Sequence, residues 1–176
     1  MRTDTLFYRL FQERPALVFE LAGWPRPAGA GYRWSAEEVK ETAFRLDGVL
    51  LPRDGANEPP VFVEVQFQPK TDFYARWFSE IFLYLFRRKI ERPWLALALF
   101  PTAAVDTAAR DAYAPLLDCP WVQRIYLDEV LAQTPDPGPG LGLIGLILAE
   151  PADSNRQARS LYRAAGVAER AWIPSR

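Results

Sequence analysis

Apolar side chains fall at positions 6, 7, 10 and 11 of the opening segment, which sets Leu6, Phe7, Leu10 and Phe11 on one face of a helix. Thr3 or Asp4 is placed to cap it, and it runs to about Glu13. Pro15, Pro25 and Pro27, with Gly23, Gly29 and Gly31, then break the chain into loop. Two runs of strand character follow, Glu41 to Leu51 and Val61 to Gln68, and the stretch between them, Pro52 to Pro60, is dense in turn formers. This pattern predicts a β-hairpin. Tyr32 to Lys40 offers a further strand ahead of it, with a helical turn over Ser35 to Lys40 as the alternative. From Asp72, a candidate N-cap, to about Ile90 the spacing is helical again, and the surface is almost unbroken aromatic and aliphatic, so this helix must lie across a sheet. Arg92 and Pro93 end it. Trp94 to Phe100 is continuously apolar, as in a strand buried on both faces. A helix over Asp106 to Leu117, a strand over Val122 to Leu127, and helices after Gly140 and after Asp153 complete the series. The order α, β, β, β, α, β, α, β and then helices predicts an α/β fold, a mixed central sheet flanked by helices.

Residues 134–140, Thr-Pro-Asp-Pro-Gly-Pro-Gly, read as a connector. They divide a main domain, residues 1–133, from a helical C-terminal extension, residues 141–176, expected to pack on the same domain. The apolar positions Leu141, Leu143, Ile144, Leu146 and Ile147 suit burial against a sheet or a partner subunit. Residues 141–149 are about half of the roughly 20 needed to span a bilayer, so no membrane segment is expected. The charged N-terminus lacks the apolar core of a signal peptide, and a single cysteine, Cys119, forms no internal disulfide; both suit a reducing cytoplasm.

Histidine is absent, which excludes Ser-His-Asp and Cys-His catalysis and HExxH zinc sites. Any chemistry must use carboxylates, amides, Lys or Arg. With 21 basic and 22 acidic residues, the chain does not coat nucleic acid by bulk charge, although local basic clusters exist at Arg87, Arg88, Lys89 and Arg92 and at Arg156, Arg159 and Arg163. For these a solvated face is the plain alternative to a phosphate-backbone track, as core packing is for the aromatic helix.

Strand alternation places Phe62, Glu64, Gln66 and Gln68 on one face and Val61, Val63, Val65 and Phe67 on the other. In the preceding strand Arg45, Asp47 and Val49 share a face. A symmetric hairpin centred between Gly55 and Ala56 sets Asp47 directly opposite Glu64, with Cβ atoms roughly 4.5–5.5 Å apart. Two carboxylates so close repel unless one is protonated or a cation lies between them. A divalent ion held by Asp47, Glu64 and the Val65 carbonyl resolves the conflict, as Mg²⁺ is usually bound by one or two carboxylates plus water. On spacing alone, a solvated strand face, or ion pairs with Arg45 and Arg76, is the plainer reading.

The run Phe44-Arg45-Leu46-Asp47-Gly48-Val49-Leu50, then Val63-Glu64-Val65-Gln66-Phe67-Gln68, then an aromatic helix with Arg76 and Tyr84, resembles the bacterial Rpn-type proteins. These are recombination-promoting nucleases, often labelled transposases, of the PD-(D/E)XK superfamily. The resemblance spans about Thr3 to Phe100 and includes the Asp4-Thr-Leu-Phe-Tyr-Arg-Leu-Phe11 helix. It implies a restriction-endonuclease-like core of order α-β-β-β-α-β and Mg²⁺- or Mn²⁺-dependent hydrolysis of phosphodiester bonds in DNA, linked to recombination or mobile elements. Asp47 and Glu64 then match the two catalytic, metal-binding acids, and Gln66 the position more commonly held by Lys. Leu46 stands where Pro is usual. An amide neither abstracts a proton nor carries the ammonium charge, although Gln is itself common in the Rpn-like branch. Arg45, Arg76 and Lys70 are candidate DNA contacts, and Asp4 or Glu20 a candidate additional acid. The alternatives are a nuclease-like fold without turnover, acting as a DNA-binding or protein-interaction module, and a homodimeric scaffold.

Overall fold

The computed structural model describes residues 3–25, 31–35, 46–53, 58–135 and 138–149. The chain divides into two compact units, Met1–Tyr126 and Leu127–Arg176. In the first, α1 (Thr3–Glu13) and α2 (Ala16–Ala22) precede β1 (Tyr32–Ser35), β2 (Gly48–Pro52) and β3 (Val61–Val65). Then come α3 (Phe73–Arg88), β4 (Leu95–Phe100), two 3₁₀ turns (Ala103–Val105 and Asp111–Tyr113), α4 (Ala114–Leu117) and β5 (Val122–Tyr126). The second unit contains α5 (Leu127–Ala132) and α6 (Pro139–Leu148).

The five strands form one mixed sheet in the order β1-β2-β3-β4-β5. β1, β2 and β3 pair antiparallel, and β3, β4 and β5 parallel, with α3 carrying the chain from β3 to β4. The hairpin register follows the predicted symmetry: Gly48 pairs with Val63 and Val49 with Phe62, so one step further Asp47 meets Glu64. The predicted burial of β4 holds for Ala96 to Phe100.

Each sheet face has its own core. On one, Phe62, Ala96, Ala98, Phe100 and Val122 pack with Phe73, Tyr74, Trp77, Phe78, Ile81 and Tyr84 of α3. Burial of each large apolar side chain there contributes roughly 1.5–3 kcal/mol, the reason this aromatic helix lies on a sheet. The other face carries α1 and α2. Phe11 of α1 meets the Trp34 ring at 5.3 Å, and Phe19 of α2 meets Tyr32 at 4.9 Å. Trp34 lies directly over Gly48, where a Cβ would come 1.9 Å from the indole; only glycine lets strand and ring approach so closely.

Several predicted boundaries move. α2 is an additional helix, started by Pro15 and ended by Gly23 in the left-handed conformation. Asp72 occupies the N-cap position of α3 without a side-chain capping bond. β3 stops at Val65, three residues before Gln68, where the chain bends ahead of Pro69, although the backbone N–H of Gln66 still donates to the Leu99 carbonyl. The single helix expected over residues 106–117 is absent. Asp106 leaves helical geometry at ψ 74°, its carboxylate drawn inward, and Pro115 confines α4 to one turn that has the proline at its start. β5 ends at Tyr126, with Leu127 opening α5, and α6 begins at Pro139, inside the predicted connector. The hairpin strand over residues 41–45 and the helix after Asp153 lie outside the described residues.

Candidate metal centre

Asp47 follows buried Leu46 just ahead of β2, and Glu64 lies one residue before the end of β3. The backbone N–H of Asp47 donates to Glu64 Oε2 at 3.4 Å, and the N–H of Val65 donates to Asp47 Oδ2 at 3.3 Å. Each carboxylate thus closes on the backbone beside the other. Within extended chain, the N–H and C=O of one residue point to the same neighbouring strand. Since the Val65 N–H reaches Asp47, its carbonyl is directed to that side, while Gln66 turns the other way to Leu99.

Glu64 is only 2% exposed, whereas Asp47 is half-buried. Burial, the adjacent Asp47 and the nearby Glu80 together push the Glu64 carboxyl up to about 8, against the opposing pull of Arg76. Arg76, on the first turn of α3, donates from Nη2 to Glu64 Oε1 at 2.8 Å and from Nη1 to Glu80 Oε1 at 3.0 Å. One guanidinium therefore serves two buried carboxylates. Glu80 is the acid that sequence reading missed. Its signal was a carboxylate one helical turn after Arg76 in an otherwise aromatic helix.

The remaining candidates are placed differently. Gln66 is buried, and its amide Nε2 donates to the carbonyl of Gln68. Lys70 is exposed in the turn leading into α3. Glu20 is exposed on α2, and Asp4 lies on α1; both helices cover the sheet face opposite Glu64. Arg45 is outside the described residues.

A second buried polar cluster lies further along the same sheet face. The Asp106 carboxylate accepts from the Tyr74 hydroxyl at 2.6 Å, the Tyr126 hydroxyl at 2.8 Å and Arg110 Nη2 at 2.8 Å, with Arg124 Nη1 at 3.6 Å. Burial and the bond to Asp106 push both tyrosine hydroxyls upward, so they act as donors that tie α3 and β5 to the loop after β4.

Among the described residues no group of three or more His, Cys, Asp or Glu gathers in a metal-binding arrangement. Two carboxylates and one carbonyl are nevertheless an all-oxygen donor set of the size Mg²⁺ takes from proteins. The residues fit a hard divalent ion.

A five-stranded mixed sheet with helices on both faces and an opposed acid pair defines an α/β protein with a carboxylate site. The chain belongs to the protein family DUF2887, described as proteins of unknown function, whose model matches residues 3–171. No curated protein and no solved structure matches it. The likeness to Rpn-type nucleases therefore rests on the motif residues themselves. No helix among the described residues is long and apolar enough to cross a membrane.

Proposed function

We propose that this protein is a metal-dependent DNA endonuclease with a PD-(D/E)XK-type core. The observation that carries the reading is the mutual closure of Asp47 and Glu64 across β2 and β3, each carboxylate accepting an N–H beside the other. The order α1, α2, β1, β2, β3, α3, β4, with three antiparallel strands and a helical crossover to a parallel fourth, supports it. Asp47, Glu64 and the Val65 carbonyl would hold Mg²⁺ or Mn²⁺. When bound, the ion supplies positive charge to a scissile phosphate and lowers the pKa of water.

The other parts belong to the chain. Asp47, the more exposed acid, is the first that an incoming ion meets. Arg76 holds Glu64 in place by a 2.8 Å ion pair and remains 24% exposed, within reach of an anionic backbone. Lys70 adds a solvent-facing cation at the entrance to α3. Gln66, its amide bound to the Gln68 carbonyl, orients the chain after β3 and supplies no proton.

The test is nicking of supercoiled plasmid in Mg²⁺ or Mn²⁺. Wild type should nick, EDTA should stop it, and Asp47→Ala and Glu64→Ala should each lower the rate at least a hundredfold. Equal nicking by either variant would rule the site out. A second reading, a nuclease-like DNA-binding module without turnover, is favoured by Gln66 in the lysine position. It predicts no metal-dependent cleavage and salt-sensitive DNA binding that survives Asp47→Ala.

A further inference from the structure

The C-terminal half of α3 presents a surface that neither core uses. Phe82 is 45% and Phe86 80% exposed, one helical turn apart; the Phe82 ring stacks on Phe78 at 6.5 Å on one side and makes a T-shaped contact with Trp94 at 5.9 Å between ring centroids. The exposed Arg88 lies over the Tyr84 ring at 5.7 Å. Two exposed phenyl rings and an arginine in cation–π contact thus lie within two turns. Around them, residues 87–92 hold four basic side chains and one acid, a local charge of +3 in a chain whose net charge is −1.

The end of the helix adds a second observation. The Lys89 N–H donates to the Phe86 carbonyl and the Ile90 N–H to the Leu85 carbonyl, closing a Schellman turn with Lys89 in the left-handed region at φ 51°. Glycine is the favoured residue there, because a Cβ costs energy in that conformation. Lysine at this position places a third consecutive cation beside the exposed rings at the expense of local strain.

We propose that this face of α3, Phe82, Phe86 and Arg88 with Arg87, Lys89 and Arg92, binds single-stranded nucleic acid, bases stacking on the exposed rings and phosphates meeting the cations. Exposed rings alone would equally suit a protein partner. The surrounding positive charge beside exposed rings favours a polyanion with planar groups. A duplex keeps its bases stacked internally and cannot offer them, so the strand must be single. The face begins about 9 Å along the helix from Arg76 and does not depend on the chemistry proposed at Asp47 and Glu64.

The test is fluorescence anisotropy of a labelled oligothymidylate with the full chain in EDTA, where cleavage cannot contribute. Wild type should bind in low salt, and unlabelled single strand should displace the probe better than duplex of the same length. Phe86→Ala removes a side chain that carries little packing and should weaken binding about fivefold or more. Lys89→Gly should melt no lower than wild type, since it relieves the left-handed strain, yet it should lower the slope of log affinity against log salt by about 0.7. Such a pairing of equal stability with a smaller salt slope is not produced by a purely structural lysine. No binding by wild type, or unchanged binding by both variants, would overturn the proposal. So would a self-associated wild type that Phe86→Ala dissociates without any oligonucleotide affinity, which would mark the face as a contact between copies.

Discussion

Glu64 is an acid the fold keeps from water while a second acid sits against it. Its carboxyl is raised above the ordinary 4.5 to about 8 by burial first and Asp47 second. The folded chain therefore holds a proton that the unfolded chain has lost, across roughly pH 5 to 8. By linkage, stability without metal falls as pH rises through that window and levels off above it. Urea unfolding in EDTA should show a decline of a few kcal/mol at most between pH 5 and 8, and Glu64→Gln should flatten it. A wild-type profile that rises with pH would show Arg76, not burial, to dominate. Asp106 makes a different case, since its fully buried carboxylate receives two hydroxyls and an arginine. Asp106→Ala strands those donors, and thermal or urea melts should register a loss of about 3 kcal/mol.

At the scale of elements, the position of Asp47 depends on how closely β2 approaches the helical layer on its far side. Trp34 covers Gly48 so tightly that Gly48→Ala must push either the indole or the strand aside. Overpacking of this kind costs about 1–3 kcal/mol, and because Asp47 is the adjoining residue the same change should also weaken divalent-metal binding. Calorimetric melting and metal titration of that variant check both effects; loss of stability with unaltered metal affinity would separate the strand from the site. The hairpin register was legible in advance, because turn formers between two alternating strands fix a centre of symmetry. α3 was legible for a related reason, since only a sheet accommodates so much aromatic surface. Residues 106–117 were not, because helical propensity there yields to one buried aspartate whose partners, Tyr74 and Tyr126, are 32 and 20 residues away. Local pattern carries no trace of such distant bonds.

For the molecule as a whole, the sheet order and the α3 crossover bring the strand pair, Arg76 and Glu80 to one face, while α1 and α2 close the other. The juxtaposition of Asp47 and Glu64 was readable because neighbouring strands bring matched positions together by geometry alone. Glu80 was not, since its part depends on the tilt of α3 and on a guanidinium shared with Glu64. The claim on which the functional reading stands is that Asp47 and Glu64 jointly bind one hard cation. Isothermal calorimetry with Mg²⁺ and Mn²⁺ near pH 8 tests this most directly. Wild type should bind a single ion, and Asp47→Ala and Glu64→Ala should each abolish or severely weaken that binding. Absence of binding by wild type, or retention of full affinity in either variant, would contradict it.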